Sequence, residues 1–78
     1  MSVSFSIEKE LGTIGEASGG AVKKLRLVSW GEAPAKYDFR VWMAKPGEKE
    51  IPLRGVTMTE DDARQLCALL CEYFGKED

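Results

Sequence analysis

The chain contains no histidine, and its two cysteines, Cys67 and Cys71, stand four apart in one short stretch. Without histidine the commonest general base is missing. Two neighbouring cysteines cannot build a disulfide framework. With no histidine and no further cysteine, a four-ligand zinc site within one chain is ruled out. The carboxylates gather near residue 60 and at the tail rather than around a catalytic pattern, and the Gly19-Gly20 pair lacks the flanking residues of a phosphate loop. The sequence therefore reads as a non-enzyme, with no cofactor, no metal and no small-molecule substrate expected. No apolar run approaches the roughly 18 residues needed to span a bilayer, and no basic-then-apolar leader opens the chain. A cytoplasmic protein with reduced cysteines and no membrane partner is the expectation.

Net charge is also small, 11 Lys and Arg against 13 Asp and Glu. The distribution is more informative than the total, because partner choice follows the local field. From Lys23 to Arg54 eight cations face four anions, a balance of +4; from Gly55 onward two cations face six anions, a balance of −4. The middle is basic and the end acidic. The 78 residues make a single domain, 1–78, with little room for a core. A chain this short removes only about 60% of its unfolded surface on folding, so small domains need reinforcement. With no disulfides or metal to supply it, a homodimer is expected.

Hydrophobic alternation predicts four strands. Val3, Phe5 and Ile7 start the first, which reaches to Ile14; Gly15 to Gly20 is a turn whose glycines supply positive φ. Ala21–Trp30 is the second strand, with Leu25 and Leu27 inward and Lys24, Arg26 and Trp30 outward. Residues 31–35 turn into the third strand, Lys36–Met43, and residues 45–49 turn into the fourth, from Ile51 towards Met58. Pro52 has no N–H to donate, which places that segment at a sheet edge. Thr59 followed by Glu60, Asp61 and Asp62 is a helix start. Ala63, Leu66, Cys67, Leu70, Tyr73 and Phe74 then follow at helical spacing, widened by Leu69 and Cys71, and Gly75 is the stop. The fold class is α+β: a four-stranded antiparallel curved sheet followed by one C-terminal amphipathic helix. One helix covers one face of such a sheet, and the widened stripe points to a further partner for the helix.

The third strand carries the functional signal. Tyr37, Phe39, Val41 and Met43 share one face and read as core; Lys36, Asp38, Arg40 and Trp42 share the other. A tryptophan beside two cations on a wet sheet face suits bases stacked along a phosphate chain. Trp30 ends the neighbouring strand and either joins that platform or caps the sheet. Asp38, between Lys36 and Arg40, would repel phosphate and is expected to pair with Arg40 and orient it, the alternative being that it accepts a hydrogen bond from a base.

Three blocks carry a family resemblance: Lys24-Leu25-Arg26-Leu27-Val28-Ser29-Trp30, Lys36-Tyr37-Asp38-Phe39-Arg40-Val41-Trp42, and Arg54-Gly55-Val56-Thr57-Met58-Thr59. In this order and spacing they resemble the C-terminal domain of the eukaryotic transcriptional coactivator positive cofactor four, and more closely its bacterial YdbC-type relatives. The resemblance spans about residues 20–74. It implies a homodimer whose curved sheets form grooves for single-stranded DNA, with helices pairing behind. It implies basic contacts at Lys24, Arg26, Arg40 and Arg54 and an aromatic contact at Trp42, with Trp30 matching the bacterial pattern. The Arg-to-Trp spacing of the third strand is one shorter than in the eukaryotic form, and no Ser-rich regulatory tail is present.

The expected function is thus binding of single-stranded DNA with little sequence preference, in transcription regulation or in replication, repair and recombination. The expected contact set is Lys24, Arg26, Trp30, Lys36, Arg40, Trp42 and Arg54. Two alternatives share the surface: preference for RNA, which requires 2′-hydroxyl contacts, and a protein–protein adaptor using the aromatic face.

Overall fold

In the computed structural model, which describes residues 4–76, four strands precede one helix: β1 (Phe5–Glu16), β2 (Val22–Trp30), β3 (Lys36–Met43), β4 (Ile51–Met58) and α1 (Glu60–Gly75). The strands form one antiparallel sheet in the order β1-β2-β3-β4, the β-β-β-β-α arrangement that alternation and capping predict. The start expected at Val3 lies outside the described residues. β1 runs two residues past Ile14, and a short 3₁₀ turn at Ser18–Gly20 leads into β2, with Gly19 and Gly20 at φ 74° and 85°. Pro52 does lie on an edge strand, opposite Trp42.

β1 pairs unevenly with β2. Its register shifts between Ile7 and Lys9, between Glu10 and Gly12, and between Thr13 and Gly15. Each such bulge bends a strand and increases its twist. The sheet is correspondingly curled. Phe5 lies opposite one end of β2, at Trp30, and Trp42 opposite the other, at Val22. In a flat sheet that separation is roughly 26 Å. Here the Phe5 and Trp42 rings are 5.4 Å apart, with Phe5 also 5.3 Å from Trp30.

The curl reverses the expected core. Trp42 (1% exposed) and Asp38 (0%), predicted to be wet, are buried together with Arg26 and Val28 on the concave side. Leu25, Leu27, Tyr37, Phe39, Val41 and Met43, predicted to be inside, are only half-buried on the convex side. Period-two patterning sorts side chains into two sets without saying which set the sheet wraps around. The bulges of β1 decide it, by carrying Phe5 over Trp42.

Another register shift, between Arg40 and Trp42, brings β4 tightly onto β3 at Gly55. A Cβ there would lie 2.5 Å from the Phe39 carbonyl oxygen and 2.6 Å from Arg40 Cα, both backbone atoms that cannot swing aside. Gly55→Ala should therefore destabilise the fold by about 1–3 kcal/mol or more through forced backbone displacement. Gly12→Ala meets nothing within 4 Å and serves as the control in the same urea titration.

α1 begins as predicted. Thr59 Oγ1 accepts from Asp62 N at 3.1 Å, and the Asp62 carboxylate accepts from Thr59 N, a reciprocal capping box. Its end differs: Gly75 is the last helical residue rather than a left-handed stop, and Lys76 caps it by donating to the Tyr73 and Phe74 carbonyls. No helix residue is buried by the chain's own sheet. Leu66, Leu69, Leu70, Tyr73 and Phe74 are 43–60% exposed, and Cys67, expected to be core, is exposed too. The radius of gyration, 14.2 Å, exceeds the roughly 11.5 Å of a compact domain this long.

Candidate nucleic-acid interface

The concave face gathers Lys24, Arg26, Trp30, Arg40 and Trp42, with Lys36 at its rim, six of the seven expected contact residues. Strand pairing explains why. Lys24 lies opposite Arg40 and Arg26 opposite Asp38, and side chains on directly opposed residues share a face. Lys36, opposite Val28, belongs to the same face and is exposed at its rim. Arg54 is not brought to the group. It lines a shallow cavity of about 200 Å³ with Lys23, Phe39, Val41 and Val56.

Asp38 organises one half of the face. Its carboxylate accepts from Arg40 Nε at 3.0 Å and Nη2 at 2.9 Å, and from the Trp30 indole N–H at 3.1 Å. Arg40 Nη1 donates to the Leu53 carbonyl at 2.9 Å. Held at both ends, the guanidinium lies over Trp30, 4.8 Å from the ring centroid. The expected Asp38–Arg40 pair is thus present, and it also clamps Trp30.

Arg26 and Lys24 organise the other half. Arg26 reaches Glu10 at 2.7 Å and Glu50 at 2.8 Å, and Lys24 reaches Glu50 at 2.7 Å. The hydrogen bond from Arg26 holds the Glu10 carboxyl below its usual range. Burial pushes Glu50 up, but hydrogen bonds from Lys24 and Arg26 outweigh it, and the net shift is downward. Burial likewise opposes the charge of Arg26, and its two carboxylate partners more than restore it, raising its pKa.

Trp42 is not the exposed stacking surface that its strand parity suggested. Phe5 covers one side, and the Arg26 guanidinium lies 4.6 Å from the ring centroid. Its indole N–H, like Arg26 Nη1, is buried without a hydrogen-bond partner among the described residues. Trp42 is the floor of the concave face. Trp30 is half-buried and is the aromatic residue nearer to solvent.

Sequence reasoning missed Phe5, Glu10 and Glu50 as parts of this face. Gly12 and Gly15 inside a strand signal bulges, but not the side towards which β1 bends. Nothing in the sequence marks Glu50, which arrives from the turn before β4. Among the described residues no group of three or more potential metal ligands occurs, and no helix is long and apolar enough to cross a membrane. No protein-family model matches the chain, and no curated protein is significantly similar to it.

Proposed function

We propose that this protein works as a homodimer that binds single-stranded DNA with little sequence preference, along the concave face bearing Lys24, Trp30, Lys36 and Arg40. One observation carries the reading most: Asp38 and the Leu53 carbonyl hold the Arg40 guanidinium over the Trp30 ring. A fixed guanidinium plane offers a base a stacking surface and a phosphate a charge, at little entropic cost on binding. Lys36 extends the positive rim. Arg26 and Trp42 support the face from below, and Arg54 with Lys23 adds to the basic field from the convex side. The resemblance to the positive cofactor four family points the same way.

The dimer rests on a separate observation, the uncovered apolar side of α1 together with the half-buried convex face. A second copy of the chain would bury both. Sedimentation at micromolar concentration should then give twice the chain mass.

The functional test is a fluorescence-anisotropy titration of labelled oligo-dT, duplex DNA and single-stranded RNA at about 50 and 200 mM salt. Oligo-dT should bind tightest, and log K should fall linearly with log salt, with a slope of about −2 to −3 for three or four phosphate contacts on a single strand. Tighter RNA binding would make the chain an RNA-preferring protein. Absence of salt-sensitive binding to any of the three would refute nucleic-acid binding and favour the adaptor alternative.

A further inference from the structure

We infer that Lys24 and Arg26 form a phosphate seat that this chain's own Glu50 occupies, so that a nucleic-acid strand enters by displacing a carboxylate. The inference rests on the nucleic-acid reading above and adds to it a competitor built into the site.

The geometry is that of an anion between two cations. Glu50 Oε2 accepts from Lys24 Nζ at 2.7 Å and Oε1 from Arg26 Nη2 at 2.8 Å. Each oxygen is thus held by a different cation, as the two free oxygens of a phosphodiester would be. Lys24 and Arg26 are otherwise well placed on the concave face, beside Arg40 and Asp38 of β3. Glu50 balances the charge of both: Arg26 is 2% exposed, and the Lys24 side chain keeps 21%.

Glu50 can leave where a strand residue could not. It belongs to the connection between β3 and β4, outside either strand, and the Met43–Ile51 pair closes the ladder beyond it. Its departure breaks no ladder hydrogen bond. Arg26 is not stranded either, since Glu10 keeps its contacts to Nε and Nη2. Arg26 Nη1 meanwhile is buried without a hydrogen-bond partner among the described residues, an unmet donor beside the seat.

The consequence is selectivity for chain length. A tethered carboxylate competes at high effective concentration, so a free phosphate ion or a mononucleotide cannot displace it. A strand already anchored at Trp30, Arg40 and Lys36 presents its next phosphate at comparable effective concentration and can.

Glu50→Gln removes the competing charge and leaves Glu10 to pair with Arg26. Glu48→Gln, in the same connection, removes an equal charge that contacts no cation among the described residues. With oligo-dT, Glu50→Gln should tighten binding about five- to tenfold and steepen the salt slope by about one unit, whereas Glu48→Gln should change affinity less than about twofold. Circular dichroism checks that both variants keep the fold. A second arm adds inorganic phosphate to ¹⁵N-labelled protein, where Lys24 and Arg26 signals should shift in Glu50→Gln and stay still in the wild type. If the wild type binds oligo-dT but the two variants behave alike, the seat is refuted and DNA binding stands. If nothing binds DNA but phosphate shifts those signals in Glu50→Gln alone, DNA binding is refuted and the seat stands. No response in either arm overturns both.

Discussion

Trp42→Ala should lower the free energy of unfolding by about 3–5 kcal/mol, the range for emptying a buried tryptophan site. Trp42 has almost no exposed surface, Phe5 lies against it, and the Arg26 guanidinium rests over its ring. Removing the indole deprives Phe5 and Arg26 of the surface they cover and opens a cavity at the centre of the concave face. Small domains rarely have more than 5–15 kcal/mol in all, as typical values run, so the variant should be partly unfolded at room temperature. Urea denaturation at fixed protein concentration measures it, which holds constant any contribution from the proposed association of two copies. Trp30→Ala, at a half-buried position, should cost clearly less. If Trp42→Ala instead keeps full stability and loses DNA affinity, Trp42 is a binding surface and not the floor of the fold.

Asp38→Ala should be nearly as damaging, at about 3–5 kcal/mol, the range for breaking a buried ion pair from one side. The carboxylate is wholly buried and satisfies both Arg40 and the Trp30 indole. Without it, Arg40 Nε, Arg40 Nη2 and the Trp30 indole lose their acceptor, and Arg40 keeps an uncompensated charge in a partly buried place. Arg40 retains 15% exposure, which puts the loss at the lower end of that range. Asp38→Asn keeps the shape and one acceptor oxygen for Trp30 but cannot neutralise Arg40, so it should fall between wild type and Asp38→Ala. The pair also predicts a functional signature. Asp38→Asn should weaken DNA binding although it removes a negative charge, because Arg40 loses its fixed orientation. An Asp38→Asn variant that binds more tightly would show that Asp38 acts only by repelling phosphate.

Strand and helix positions were legible because each carries a local signal. Alternation marks Lys36–Met43, the Gly19-Gly20 pair marks a turn, and Thr59 with three acidic residues marks the helix start. The Asp38–Arg40 pair was legible because residues two apart in a strand share a face. The inside of the sheet was not, because its sign depends on curvature, and curvature depends on three bulges in β1. Tyr37, Phe39 and Val41 look like core by composition, yet within one chain the sheet closes around Arg26, Asp38 and Trp42. The ion pairs of Glu10 and Glu50 are long-range products of that same closure, reaching 16 and 24 residues along the chain to Arg26. No local pattern encodes them.

The claim that single-stranded DNA lies on the concave face beside Trp30 has a direct optical test. In a Trp42→Phe background that keeps the fold, Trp30 is the sole tryptophan. Titrating oligo-dT into that protein should quench Trp30 emission to saturation, with the midpoint moving to higher DNA concentration as salt rises. Binding detected by anisotropy without any change in Trp30 emission would contradict the claim and place the strand elsewhere on the molecule.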